Sequence, residues 1–167
     1  KVTSVNHCNG KDIWVTTAKK NSDEFYSYLV PASGIQPPVI SSIGVPNNFF
    51  GLGYLKFSPD ATKLACVNFG RGLDLFDFDP STGQISNRKS IINGINQQPY
   101  GVEFSSNSRI LYVSNTFQLQ VLYRRCDVRQ YSGLNADALS ISATKVELDS
   151  IYLSAPAGVA YFSALQL

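Results

Sequence analysis

Charge is scarce in this chain. Only 16% of its 167 residues are Asp, Glu, Lys or Arg, and they nearly cancel to a formal net charge of +2. A large nucleic-acid footprint needs basic side chains gathered on one face, whereas Lys19-Lys20 and Arg124-Arg125 stand as isolated pairs, so nucleic acid is not an expected partner. No apolar run approaches the roughly 18–20 residues that span a bilayer, and no charged-then-apolar leader opens the chain; no membrane span is expected. The sequence starts without Met on the strand-like "KVTSV", which leads us to expect a processed product and a piece of something longer.

Histidine and cysteine are equally sparse. With His7 alone, a metal site would have to draw on carboxylates, and the candidates Asp74, Asp77 and Asp79 alternate irregularly on an outer strand, where charges normally face water. No metal, cofactor or catalytic residue is therefore nominated. Cys8, Cys66 and Cys126 are odd in number and widely spaced, unlike a disulfide framework or a zinc site. Cys66 in "KLACVNF" reads as a small buried hydrophobe; Cys8 and Cys126 could pair only if their α-carbons came within roughly 7 Å. There is no GxSxG elbow and no phosphate-binding loop.

What the chain does have is repetition. Phe57 in "KFSPD" and Phe104 in "EFSSN" hold equivalent places, 47 residues apart, close to the length of about 40–50 residues typical of a four-stranded propeller blade. "VNHCNGKDIWVTT" follows the same plan, with His7 aligned to Phe57, 50 residues upstream. A second signature recurs in register: Pro31 with Gly34 in "VPASGIQ", and Pro80 with Gly83 in "DPSTGQ". Pro sets the first bend and Gly supplies the positive φ that closes the hairpin.

The expected fold is all-β, an incomplete β-propeller of about three four-stranded blades plus the first strand of a fourth. Blade 1 covers about 1–46, blade 2 about 52–93 and blade 3 about 99–149; the fourth begins at about 161–167. In blade 2 the strands fall at Tyr54–Ser58, Lys63–Asn68, Leu73–Asp79 and Gln84–Ile92. The period-2 pattern of "LDLFDFD" changes phase between Leu75 and Phe76, predicting a bulge. "TFQLQVLYRRCDVRQYSGL" is too long for one strand, so an insertion is expected near 118–126 before a strand at Val128–Leu134, with "ISATKVEL" as the outer strand. "LNADALSIS" could form one short helical turn.

"YLKFSPDATKLACVNF" and "YGVEFSSNSRILYVSN" resemble the WD-repeat-like and YVTN-type propeller repeats. With "GKDIWVTT", "FYSYLV", "PPVISSIG", "LDLFDFD" and "FSALQL", the string resembles the N-terminal propeller of large surface proteins exported by the type IX route in gliding bacteria. That resemblance implies a secreted or cell-surface bacterial protein. Where this family commonly has a Thr-His pair after the second strand, the chain reads Thr16-Thr17-Ala18-Lys19, and no role is carried over to that position.

Three blades cannot close a ring, since propellers use four to eight. The remainder of the propeller or another chain should cover the open blade faces. The d-to-a and b-to-c connections share one face of the disc, on which propellers generally place ligands, by analogy. There the sequence puts Phe49, Phe50, Asn68, Arg71, Gln98, Tyr100, Asn115 and Phe117, flat aromatic area beside adaptable polar groups, as a protein or glycan contact needs. The competing expectation is that Phe49, Phe50 and Tyr100 plug the seams between blades. The leading functional expectation is a non-enzymatic extracellular interaction module. The alternative is a fragment of a lactonase-like or quinoprotein-like propeller enzyme, for which His7, Asp12 and Glu103 are the candidate tunnel ligands.

Overall fold

The structure, a computed structural model, describes residues 1–46, 52–94, 97–120 and 123–154; of 117–120, 123, 124 and 151–154 it describes the backbone alone. Twelve strands and one helix follow in order: β1 (Val2–Asn6), β2 (Ile13–Ala18), β3 (Glu24–Val30), β4 (Val39–Ser42), β5 (Leu55–Phe57), β6 (Lys63–Asn68), β7 (Gly72–Phe78), β8 (Ile85–Asn93), β9 (Gln97–Phe104), β10 (Leu111–Gln120), β11 (Tyr123–Tyr131), α1 (Ala138–Ala143) and β12 (Val146–Ser154). They form three antiparallel four-stranded sheets, β1 to β4, β5 to β8 and β9 to β12, each in chain order. The first strands β1, β5 and β9 lie side by side. The chain is thus three consecutive blades of an incomplete β-propeller.

The turn joining the first two strands has the same backbone bonds in all three blades, and the same side-chain bonds in blades 2 and 3. In blade 2, Asp60 Oδ1 accepts from Thr62 N at 3.1 Å and from the Ser58 hydroxyl at 2.6 Å, while Lys63 N donates to Ser58 Oγ. In blade 3, Asn107 Oδ1 accepts from Arg109 N and from the Ser105 hydroxyl, and Ile110 N donates to Ser105 Oγ. In blade 1, Asn9 Oδ1 accepts from Lys11 N and Asp12 N, and His7 Nδ1 takes the Asn9 N–H. The residue after each Asx has positive φ: Gly10, Ala61 and Ser108. His7 therefore stands where Ser58 and Ser105 stand. The alignment of His7 with Phe57 is one residue out, because "VNHCNGKD" shares turn chemistry but no residue identity with "FSPDATK".

Burial follows blade position. All six residues of β6 are buried, because the middle blade is covered on both faces. In blade 1 one face stays open, with Val2 68%, Ile40 49% and Ile13 43% exposed. The first seam is an aromatic core of Trp14 and Phe25 from blade 1 with Phe57, Phe76 and Phe78 from blade 2. The second is aliphatic, Ala65, Val67 and Leu75 against Val102, Leu111 and Val113.

The bulge expected in "LDLFDFD" is not in β7: the β6–β7 ladder runs unbroken, and where the β7–β8 register shifts the extra residues lie on β8. The sequence pattern changes phase because both faces of β7 are buried, Leu73 and Leu75 in the seam with blade 3 and Phe76 and Phe78 in the seam with blade 1. The insertion expected near 118–126 is not there. β10 and β11 pair from Leu111–Tyr131 out to Gln120–Tyr123 as one long hairpin, since "TFQLQ" and "YRRCDV" are both good strand formers. The extra residues lie between β11 and β12 instead, and "ISAT" belongs to this connection rather than to the outer strand. Its helix α1 is capped by Asp137, whose carboxylate accepts from Ser140 N, and Ser142 Oγ donates to the Ile91 carbonyl, strapping blade 3 to blade 2. The start of a fourth blade, 161–167, lies outside the described residues.

Candidate functional site

At the b-to-c end of blade 2 the side chains of β7 and β8 enclose a cleft of about 330 Å³. Asn68 closes β6, and Arg71 N–H donates back to the Asn68 carbonyl at 2.9 Å to form the turn. Gly72 opens β7 with φ +138°, and a Cβ there would lie 1.8 Å from the Ile92 carbonyl oxygen, so only glycine lets β7 approach β8 this closely. That approach sets Asp74 opposite Ser90 across the two strands, with Arg88 reaching back from β8.

The chemistry of the cleft centres on one ion pair. Arg88 Nη2 lies 2.9 Å from Asp74 Oδ1, the Asp74 side chain being 7% exposed and that of Arg88 32%. Asp74 was expected to face water; it is buried because β7 is sandwiched between β6 and β8 and its face turns toward blade 1. Beneath it, Lys1 Nζ donates to Asn68 Oδ1 at 2.5 Å and to the Val67 carbonyl. Burial pushes the Lys1 amine below its ordinary pKa, with Cys66 and Asp74 opposing that shift. Val45 and Ile92 supply apolar wall, Ser90 and Asn93 polar rim.

Of the residues nominated from the sequence, Asn68 and Arg71 line this cleft. Phe49 and Phe50 lie outside the described residues, as does the side chain of Phe117. Gln98, Tyr100 and Asn115 sit within β9 and β10 rather than in loops. Tyr100 packs its ring on Tyr54 at 5.8 Å between centroids. Asn115 is 1% exposed, in the seam between blades 2 and 3, beside the buried pair of Arg129 and Asp127. Asp74, Arg88, Ser90 and Asn93 were missed.

The candidate tunnel ligands do not converge. His7 and Asp12 belong to the a-to-b turn at the opposite end of their blade, and Glu103 pairs with Lys56 at 2.7 Å between the inner strands. Among the described residues no three His, Cys, Asp or Glu side chains gather in metal-ligating geometry. Cys8, Cys66 and Cys126 are free thiols, the first exposed and the others buried.

No family model matches the sequence, and no curated protein does. The fold is similar to the crystal structure of a proposed 6-phosphogluconolactonase from Bacteroides fragilis NCTC 9343, with a TM-score of 0.52 at 12% identity over 91% of this chain. The chain spans 41% of that protein's length. At this identity the likeness concerns the propeller architecture alone.

Proposed function

We propose that the chain is the ligand-binding part of a non-enzymatic β-propeller in an extracellular or cell-surface protein. It would hold a protein or glycan partner at the b-to-c end of its blades, and further blades, of the same protein or another chain, would cover the exposed face of blade 1. The observation that carries this reading is the cleft at Asp74 and Arg88: a half-buried guanidinium at the head of an open concavity on the face where propellers place ligands. The resemblance of "LDLFDFD" and its companion motifs to type IX-exported surface proteins supports the extracellular placement. Arrays of defined glycans and synthetic peptides should retain the chain, and Arg71→Ala and Asn93→Ala should lose that retention at an unchanged melting temperature. Retention insensitive to both variants overturns the reading.

A second reading, a segment of a lactonase-like enzyme, is favoured by one observation, the structural likeness to the 6-phosphogluconolactonase. Hydrolysis of 6-phosphogluconolactone above the spontaneous rate, lost in Asp74→Asn, would establish it.

A further inference from the structure

Arg88 has a single polar partner among the described residues, the Asp74 carboxylate, and meets it through Nη2 alone. A guanidinium carries five N–H donors in a planar fork. Nη2 carries one hydrogen on each of the two donor edges, Nε with Nη2 and Nη1 with Nη2, so a single contact to Asp74 occupies one edge and leaves the other available on a side chain that lines the cleft. Asp74 in turn uses Oδ1, which leaves Oδ2 as an acceptor at the same floor. Ser90 and Asn93 add a hydroxyl and an amide at the rim. Two guanidinium groups, Arg71 and Arg88, line the cleft against one carboxylate, so its lining carries net positive charge.

We propose that this cleft is a binding site for a compact hydroxy acid, whose carboxylate is taken by the free fork of Arg88 and whose neighbouring hydroxyl donates to Asp74. The donor set selects this class. A planar fork pairs two-pronged with a carboxylate, whereas a bare anion gains nothing from Asp74 and is repelled by it. A neutral polyol satisfies Asp74 but leaves the fork unused. Only a ligand carrying both groups on adjacent carbons uses both ends of the ion pair. The cleft's volume, at the low end for small-molecule sites, suits one such unit, either free or displayed at the end of a larger partner.

This inference rests on the reading of the cleft as a ligand site and is tested with defined probes. Titration calorimetry of the chain with L-malate should give saturable binding that weakens with salt. Succinate, which lacks the hydroxyl, should bind at least about tenfold more weakly, and sulfate and glycerol should not compete. Arg88→Gln should reduce malate binding at least about tenfold, and Asp74→Asn should remove the preference for malate over succinate. The malate-to-succinate comparison needs no variant, so it stands even if Asp74→Asn fails to fold. Equal binding of malate, succinate and sulfate, or no binding of malate, overturns the proposal. If malate fails while Arg71→Ala still abolishes array retention, the hydroxy-acid assignment falls and the cleft remains the contact. If array retention is also insensitive, both fall.

Discussion

Trp14 donates its indole N–H to the Pro80 carbonyl at 2.9 Å, fastening the second strand of blade 1 to the c-to-d turn of blade 2. The indole is 3% exposed and meets Phe78 edge-on at 6.2 Å. The turn needs Gly83 for two reasons: its φ is +77°, and a Cβ there would lie 2.5 Å from the indole. Gly83→Ala should therefore destabilise by about 2 kcal/mol or more, combining the left-handed penalty with displacement of a core aromatic. Trp14→Phe should cost about 1–3 kcal/mol through the lost hydrogen bond and volume. At about 2–4 °C per kcal/mol for a chain of this size, both are readable by thermal melting. For Gly83→Ala the single Trp also reports a shifted emission spectrum.

Much of the fold was legible because two turn chemistries repeat in register. "FSPD" and "FSSN" share a Ser and an Asx that make the same bonds, and Pro-Gly pairs mark the c-to-d hairpins. The one-residue slip at His7 came from a turn whose bonds are conserved in kind but made by a ring nitrogen in place of a hydroxyl. The β10–β11 hairpin was missed because "TFQLQVLYRRCDVRQYSGL" is too long for one strand and reads as a strand with an insertion, whereas it holds the end of β10 and all of β11, with Asp127 and Arg129 paired inside a seam. Half of the site was visible in "NFGRG". Arg88 was not, since nothing within "SNRKSII" marks it. The available signal was its complement across the sheet, Asp74 in "LDLFDFD", a cross-strand opposite-charge pair of the kind that stabilises sheets.

Ala61 holds φ +58° in the turn that glycine occupies in blade 1. Ala61→Gly relieves a left-handed penalty of roughly 1–2 kcal/mol and loosens the unfolded chain by about 0.4–1 kcal/mol. The net expectation is a stabilisation of about 0.5 kcal/mol. Asp60→Ala removes the acceptor for Thr62 N and the Ser58 hydroxyl and should destabilise by about 1 kcal/mol. Opposite signs at adjacent positions, read from denaturant midpoints at constant slope, check the turn.

Acid should loosen the fold through the same turn. Burial pushes Asp60 up, but hydrogen bonds from Ser58 and Thr62 outweigh it and hold the carboxyl below its ordinary pKa. Asp77 behaves alike, burial being outweighed by Lys63 and Asn87. With folded-state values depressed, the unfolded chain binds more protons near pH 4, so stability rises with pH there. This contribution is complete above the unfolded value of about 3.9 and fades as pH falls through the lower folded values. Melting temperature should drop between about pH 5 and pH 2.5, and Asp60→Asn should flatten that slope.

In the seam between blades 2 and 3, Arg129 meets Asp127 twice, Nε to Oδ1 at 2.9 Å and Nη2 to Oδ2 at 3.0 Å, with both side chains 5% exposed or less. Removing one member of a buried pair strands the other charge, at about 3–5 kcal/mol. Asp127→Asn should cost that much, and the double change Asp127→Leu with Arg129→Met should recover most of it. Recovery in the double variant separates stranded charge from lost packing.

Tyr100 decides between a contact residue and a plug. Its ring lies against Tyr54, and Tyr54 N donates to the Tyr100 carbonyl at 3.1 Å, joining the inner strands of blades 2 and 3. An aromatic pair of this kind contributes about 0.5–1.5 kcal/mol beyond its buried area. The backbone bond survives any side-chain change. Tyr100→Ala should thus lower the melting temperature, and Tyr100→Phe should leave it nearly unchanged because the stacking remains. A contact role predicts the reverse ordering: both variants fold normally, and the phenol's removal alone weakens partner retention. Melting curves for the two variants beside array retention place Tyr100 in one role or the other.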